Sequence, residues 1–142
     1  MPNPGTILLV EDDPDDEALT VRALRIGTTA KVEVARNGQE ALDYLFNDAK
    51  DMPRLVLLDL DLPEIDGLTV LRRIREDDRT RRVPVVILTG FNAPNDVAAG
   101  YRHGANSYVR KPVDFDQFAE VIHQLALYWL VVNEPPPNVP DR

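Results

Sequence analysis

Five short apolar runs alternate with longer amphipathic segments along this chain, and no other feature constrains its fold as strongly. The first run, TILLV at residues 6–10, is followed by a segment that opens with Pro14 and spaces its apolar residues as a helix does. A short continuous apolar run is typical of a strand buried on both faces, and such strands occur in parallel sheets covered by helices. The alternation therefore predicts an α/β fold with a doubly wound parallel sheet.

The bounds of the five predicted strand–helix units follow from where each apolar pattern starts and stops. We expect strands at residues 6–10, 31–35, 54–58, 83–88 and 107–109. We expect helices at residues 14–27, 41–46, 68–74, 94–103 and 115–132. A turn is expected at Asn37–Gly38. One domain should cover residues 1–132, and the proline-rich residues 133–142 should form a disordered tail.

Composition excludes several classes of protein. The chain has 142 residues, no cysteine and a formal net charge of −8. The lack of cysteine excludes disulfides and thiolate metal sites, and the negative charge argues against a nucleic acid partner, since phosphate binding needs a basic face. No apolar run approaches the roughly 18 residues of a membrane span, and the first ten residues lack the pattern of a secretory signal. We therefore expect a cytoplasmic protein without a membrane partner.

Polar side chains follow four of the five predicted strands, although the strands themselves are apolar. These residues are the acidic triplet EDD at 11–13, Asp59, Thr89 and Lys111. In parallel α/β sheets, ligands bind beyond the carboxyl ends of the strands. The sequence therefore predicts a functional site at that edge of the sheet, with Asp59 fixed at the end of a buried strand.

The residue types at this edge point to phosphate chemistry with a metal ion. Several carboxylates at one place repel each other, and a divalent cation relieves the repulsion. Because all the candidate ligands are oxygens, Mg²⁺ fits them, and it completes its shell with water and phosphate oxygens. Asp59 is then a candidate nucleophile toward phosphorus. Lys111 could neutralise one phosphoryl oxygen, and Thr89 could donate a hydrogen bond to another.

Four stretches of the chain, in this order, resemble the CheY-like receiver domains of two-component signalling. They are ILLVEDD, LVLLDLDLPEIDGL, VVILTG and SYVRKP. The resemblance covers residues 6 to about 132. It implies a (βα)5 flavodoxin-like fold with a five-stranded parallel sheet in the order 2-1-3-4-5.

The resemblance also implies a role for each acid of the site. Asp59 would be the phosphoacceptor, Asp12 a direct Mg²⁺ ligand, and Glu11 a ligand acting mostly through water. The backbone carbonyl of Asp61 would be a further metal ligand. Counting from the apolar strand selects Glu11 and Asp12 as the acidic pair and leaves Asp13 in the loop, but a contribution of Asp13 to the metal site stays open.

Three further residues receive a role in the same way. Thr89 would be the hydroxyl that switches, Lys111 the lysine that pairs with phosphate, and Tyr108 an aromatic side chain that rotates with the switch. Pro112 matches a proline that often follows a cis peptide bond in the family, and such a bond would aim Lys111 inward.

The implied function is that of a response regulator, which accepts a phosphoryl group from a histidine kinase onto Asp59 and is not a turnover enzyme. The sequence offers no second domain that could bind DNA, so we expect the output to be a protein contact or onward passage of phosphate. The stretches RLVLLDLDLP at 54–63 and LALYWLVV at 125–132 resemble single-domain regulators paired with phytochrome-type histidine kinases. This finer resemblance implies a bacteriophytochrome partner and a homodimer formed through the fourth helix, fifth strand and fifth helix.

The last predicted helix carries more apolar surface than packing on a sheet requires. One stripe is formed by Phe115, Phe118, Ile122, Leu125 and Trp129, and Val121, Tyr128, Leu130, Val131 and Val132 lie around its sides. A helix that packs on one sheet needs only a stripe about 100° wide. The excess predicts either a homodimer or docked partner, or a tail that folds back over the helix.

The same acids also fit other kinds of site. Asp59 could cap a turn, and Asp15, Asp16 and Glu17 read as a solvated helix start favoured by the helix dipole. The D-x-D pattern at residues 59–61 resembles haloacid-dehalogenase-type phosphatases, but those enzymes carry it on their first strand. No stretch provides the ligand pattern of a calcium-binding loop.

Overall fold

The protein is a five-stranded parallel sheet with helices on both faces, seen in a computed structural model that describes residues 5–90 and 93–137. The strands are β1 (Thr6–Val10), β2 (Lys31–Ala35), β3 (Leu55–Leu58), β4 (Val85–Thr89) and β5 (Ser107–Arg110). The helices are α1 (Pro14–Gly27), α2 (Gly38–Leu45), α3 (Gly67–Glu76), α4 (Pro94–Arg102) and α5 (Phe115–Leu127). The strand order is β2-β1-β3-β4-β5, with every neighbouring pair parallel. The predicted fold class and strand order are confirmed.

Most element bounds agree with the sequence prediction to within two residues. The fourth strand starts at Val85 instead of residue 83, because the proline before it has no N–H to give to the ladder. The turn predicted at Asn37–Gly38 is the start of α2, since the side chain of Asn37 accepts a hydrogen bond from the backbone N–H of Glu40 and caps the helix.

Side-chain caps start four of the helices close to the carboxyl ends of the strands. Asp13, Asn37, Asp66 and Asp114 each accept a backbone N–H from the first turn that follows them. A cap satisfies donors that the helix itself leaves free, and so it fixes where the helix begins. The connections at this edge of the sheet are therefore short and well defined.

The two faces of the sheet carry separate hydrophobic clusters. Alternate residues of β1 divide between them: Ile7 and Leu9 pack with α1 and α5, whereas Leu8 and Val10 pack with α2 and α3. All residues of β3 and β4 are buried. The strands that end at Asp59 and Thr89 are thus covered on both sides, as continuous apolar strands predict.

The last helix ends in a π-helical turn at Tyr128–Val132, within the helix predicted for residues 115–132. Leu130 is buried there, while Val131 is 72% exposed. Residues 133–137 have no regular structure, and Glu134 and the three prolines that follow are exposed. Residues 138–142 of the predicted tail lie outside the described residues. None of the helices described here has the length and apolar character needed to cross a membrane.

Candidate functional site

Asp59 is fixed directly after the central strand β3 by three hydrogen bonds, one that its backbone N–H donates and two that its carboxylate accepts. Its backbone N–H donates to the carbonyl of Val10 at 3.1 Å, which extends the pairing of β3 with β1 by one residue. One carboxylate oxygen, Oδ1, accepts from Oγ1 of Thr89 at 2.9 Å and from the backbone N–H of Asp61 at 3.1 Å. The side chain is almost buried, with 7% of the residue exposed. Asp59 is therefore a pre-oriented carboxylate, as its place after a buried strand predicts.

Lys111 reaches the same carboxylate from β5. Its backbone N–H donates to the carbonyl of Thr89 at 2.8 Å, and its ammonium nitrogen Nζ lies 2.9 Å from Oδ2 of Asp59 and 2.5 Å from Oε1 of Glu11. Among residues 5–90 and 93–137 no peptide bond is cis, so the expectation of a cis bond before Pro112 is wrong. The lysine points inward with a trans bond, since the two carboxylates attract its ammonium group.

Asp16 is a site residue that the sequence interpretation missed. Its Oδ2 atom lies 3.0 Å from Nζ of Lys111, as a third carboxylate on the ammonium group. The acidic run at residues 15–17 predicts a solvated helix start, because acidic side chains are favoured in the first turn of a helix. One signal was present: Asp16 lies in the first turn of α1, which begins two residues after Asp12 and therefore at the same edge of the sheet.

Three of the predicted metal ligands come together in the structure. Glu11, Asp12 and Asp59 each offer a carboxylate oxygen, and these atoms lie within 4.8 Å of one another. The set contains only oxygen donors and includes one exposed carboxylate, Asp12, so it suits a hard cation that keeps part of its water shell. Asp13, the alternative ligand, uses its carboxylate to accept from the backbone N–H groups of Asp15 and Asp16. The role of the Asp61 carbonyl stays a prediction.

The charges in this cluster shift one another's pKa values. Burial, together with the negative charge of Asp59, raises the pKa of Glu11 to about 7. Burial also acts to raise the pKa of Asp59, but the charge and hydrogen bond of Lys111 outweigh it, so the Asp59 pKa falls below its usual value. Burial would lower the pKa of Lys111, but its hydrogen bonds to Glu11 and Asp59 raise it instead. At neutral pH Asp59 is thus an ionised carboxylate beside a charged ammonium group.

The two predicted switch residues lie on neighbouring strands. Thr89 is buried at the end of β4, and its hydroxyl donates to Asp59. Tyr108 is half-buried on β5, and its ring packs against Gly100 of α4. A Cβ atom at Gly100 would lie 2.9 Å from the Cδ2 atom of this ring, which is too close for an ordinary contact. The lack of a side chain at Gly100 lets α4 approach the sheet over this ring. Rotation of Tyr108 stays a prediction.

The sequence profile of the family described as the response regulator receiver domain matches residues 7–123 of this chain. A relative from Methanothrix harundinacea, the probable methanogenesis regulatory protein FilR2, is 40% identical over 138 residues, which are 94% of this chain and 89% of FilR2. Some other curated relatives are longer, and the chain spans 53% of the length of one and 26% of the length of two others.

Solved structures extend the similarity to three dimensions. The Mn²⁺-bound form of Rcp1, a response regulator of Synechocystis, is 32% identical and superimposes with a TM-score of 0.86 over 94% of this chain and 100% of Rcp1. The bacteriophytochrome response regulator AtBRR is 44% identical, with a TM-score of 0.73 over 94% of this chain and 100% of AtBRR. The similarity therefore includes the whole sheet and the strand ends where Asp59 and Lys111 meet.

Proposed function

Because this chain belongs to the response regulator receiver-domain family, we propose that it accepts a phosphoryl group from a histidine kinase onto Asp59 and then changes a protein-binding face. A receiver domain is not a turnover enzyme, and its product is its own modified side chain. The observation that carries the assignment is the carboxylate of Asp59, which is held between the hydroxyl of Thr89 and the ammonium group of Lys111. A phosphatase with an Asp59-x-Asp61 motif is not supported, since Asp59 follows the third strand.

The side chains of the site have distinct tasks in phosphoryl transfer. A carboxylate oxygen of Asp59 attacks phosphorus while the bond from phosphorus to the kinase histidine breaks, and the imidazole nitrogen leaves with the bonding electrons. Lys111 neutralises one phosphoryl oxygen as a point charge, and Thr89 can donate to another. The chain contributes positioning and electrostatic stabilisation, which are the main sources of catalysis in phosphoryl transfer.

We further propose Mg²⁺ as the cofactor, held by Glu11, Asp12, Asp59 and the backbone carbonyl of Asp61. The cation would neutralise negative charge that collects on the phosphoryl oxygens. Two observations support this choice: the three carboxylates lie within 4.8 Å of one another, and the related Rcp1 has been crystallised with Mn²⁺. Mn²⁺ and Mg²⁺ share a preference for oxygen ligands.

The switch that we propose starts from the hydroxyl of Thr89. In the structure this hydroxyl donates to Oδ1 of Asp59 at 2.9 Å. On the phosphorylated side chain it can donate to a phosphoryl oxygen instead, and a hydrogen bond to a charged group contributes about 1.5–3 kcal/mol. That is enough to shift a two-state equilibrium by roughly 10- to 100-fold. Tyr108 would then take the space that Thr89 leaves, and the surface formed by α4, β5 and α5 would change shape.

The surface formed by α4, β5 and α5, together with the relatives of this chain, supports two partners. The kinase partner that we propose is of the phytochrome type, since AtBRR is a bacteriophytochrome response regulator and is 44% identical to this chain. FilR2, which is 40% identical, is a probable methanogenesis regulatory protein, so reconstitution with a red-light-sensing kinase is the direct test. The second partner is another copy of this chain, bound through α4, β5 and α5, where Leu127, Tyr128, Val131 and Val132 expose apolar surface.

The first prediction concerns the phosphoacceptor itself. Wild-type protein incubated with acetyl phosphate and Mg²⁺ should gain the mass of one phosphoryl group per chain, and alkaline treatment should remove it. Asp59→Asn should abolish the gain, because an amide is not a nucleophile toward phosphorus. Asp61→Asn is the matched control, since it alters a nearby carboxylate but keeps the backbone carbonyl. Labelling that persists in Asp59→Asn would show that the assignment is wrong.

A further inference from the structure

The chemistry proposed above gives no task to Asp16, although its carboxylate contacts the lysine that pairs with the phosphoryl group. An ammonium group has three N–H donors. In the structure Lys111 directs them to three carboxylates, with Nζ distances of 2.5 Å to Glu11, 2.9 Å to Asp59 and 3.0 Å to Asp16. Asp16 therefore occupies one of the three donors of Lys111.

Asp16 projects from a backbone position that is fixed on both sides. Its N–H donates to Oδ1 of Asp13 at 3.1 Å, which is part of the cap of α1. Its carbonyl accepts from the hydroxyl of the fully buried Thr20 at 2.7 Å. The first turn of α1 thus sets where the Asp16 carboxylate lies, and the contact with Lys111 does not depend on a mobile loop.

Asp16 differs from the two other partners of Lys111 in one respect. Glu11 and Asp59 belong to the group of carboxylates whose oxygens converge within 4.8 Å, whereas Asp16 is outside that group. A cation bound by Glu11 and Asp59 would neutralise part of their charge and weaken their attraction for the ammonium group. The carboxylate of Asp16 keeps its charge for Lys111.

From these contacts we propose that Asp16 is a positioning residue, which keeps the ammonium group of Lys111 over Asp59 when the acidic group is engaged with a cation and a phosphoryl group. This inference rests on the proposed function, because it assumes that Lys111 pairs with a phosphoryl oxygen. With one donor of Lys111 bound to Asp16, the other two stay directed toward Glu11 and Asp59, so the lysine does not turn toward solvent. Its side chain is 41% exposed, so its effect is smaller than that of a buried partner.

The test compares labelling rates by acetyl phosphate at saturating Mg²⁺. Asp16→Ala should slow labelling by about three- to tenfold, between the effects of an exposed ion pair and of a charge-assisted hydrogen bond. Asp16→Asn keeps an acceptor and loses the charge, so its rate should be intermediate. Asp15→Ala is the matched control, since it removes the same charge from the same helical turn without removing a contact to Lys111. It should label within about twofold of wild type.

Two further measurements separate positioning from other roles. In a Lys111→Met background, Asp16→Ala should cause no additional slowing, because a residue that acts through Lys111 has nothing left to act on. Titration calorimetry should find the Mg²⁺ affinity of Asp16→Ala within about twofold of wild type, whereas loss of a residue that supports the metal ligands costs about tenfold or more.

Three results would overturn the inference: equal slowing by Asp15→Ala, undiminished slowing in the Lys111→Met background, or a wild-type rate in both Asp16 variants. If Asp16→Ala does not fold, Asp16→Asn gives the same comparisons. Failure of the proposed function has a different signature, namely wild-type protein that takes no label or Asp59→Asn that still does.

Discussion

Burial and the nearby charge of Asp59 raise the pKa of the Glu11 carboxyl group to about 7, so part of the molecules carry it protonated near neutral pH. A cation at the acidic group favours the ionised form, so binding must release a proton from part of the molecules. We therefore predict that Mg²⁺ affinity rises with pH by up to about tenfold per unit below pH 7 and levels off above it. Calorimetric titrations at several pH values measure this directly, and Glu11→Gln should remove most of the dependence.

The same pKa sets a stability trend of opposite sign in metal-free protein. Since the pKa of Glu11 is higher in the folded state than its ordinary value of 4.5, the folded state binds more protons between pH 4.5 and about 7. The contribution of this group to stability is complete below that window and is lost as pH rises through it. Added Mg²⁺ should offset this loss of stability.

For the first of these two trends, an Mg²⁺ affinity that is independent of pH between 5 and 8 would contradict the assignment of Glu11.

The residues of the site could be predicted from the sequence where they lie at the end of a strand or directly after it. Asp59, Thr89 and Lys111 were all expected at one edge, because parallel strands end together, and the structure joins them by hydrogen bonds. Asp16 was not predicted, since an acid in the first helical turn has a sufficient local reason to be there. The direction in which such a side chain turns depends on the lysine of a strand about a hundred residues away.

At the scale of elements, Arg75 on α3 connects loops that lie far apart in the sequence. Its guanidinium group donates to the backbone carbonyls of Arg81 and Val83 before β4, to the carbonyl of Gly104, and to the side chain of Asn106 before β5. Oδ1 of Asn106 also accepts the backbone N–H of Val85. One side chain thus ties α3 to the starts of β4 and β5.

We predict that Arg75→Met lowers the free energy of unfolding by about 2–4 kcal/mol, because four acceptors lose their donor at once. Arg72→Met is the matched control on the same helix. Arg72 forms an exposed ion pair with Glu76 at 3.3 Å, and its loss should cost less than about 0.5 kcal/mol. Urea denaturation measures both. Equal effects of the two substitutions would show that the contacts of Arg75 do not contribute to stability.

Sequence patterns located the ten strands and helices found among the described residues, but the ends of these elements depend on hydrogen bonds that no pattern displays. Gly38 belongs to α2 because Asn37 caps the helix, although Asn–Gly is a common turn pair. The π-helical turn that closes α5 was not predicted, since its apolar residues continue the helical spacing without a break. Periodicity reports which face is buried, and it does not distinguish neighbouring helical geometries.

At the scale of the whole molecule, the parallel sheet follows from the alternation of strands and helices, whereas the apolar surface at the end of α5 does not follow from the fold. Leu127, Tyr128, Val131 and Val132 are between 48% and 72% exposed. A tail that covers this surface would be partly buried against it. The described residues of the tail, 133–137, are largely exposed instead. Exposed apolar residues clustered on one element are typical of an interface.

We therefore predict that the protein is a dimer in analytical ultracentrifugation, with twice the monomer mass of 16.0 kDa. Val131→Glu should convert it to a monomer, because a two-fold axis near this surface would bury two like charges. Val113→Glu is the control, since Val113 is fully exposed just before the start of α5, at the end opposite to Val131, and should leave the dimer intact. A wild-type monomer at every concentration, with and without a beryllofluoride phosphate mimic, would contradict the dimer. If removal of residues 133–142 then produced dimers, the tail would be what covers the surface.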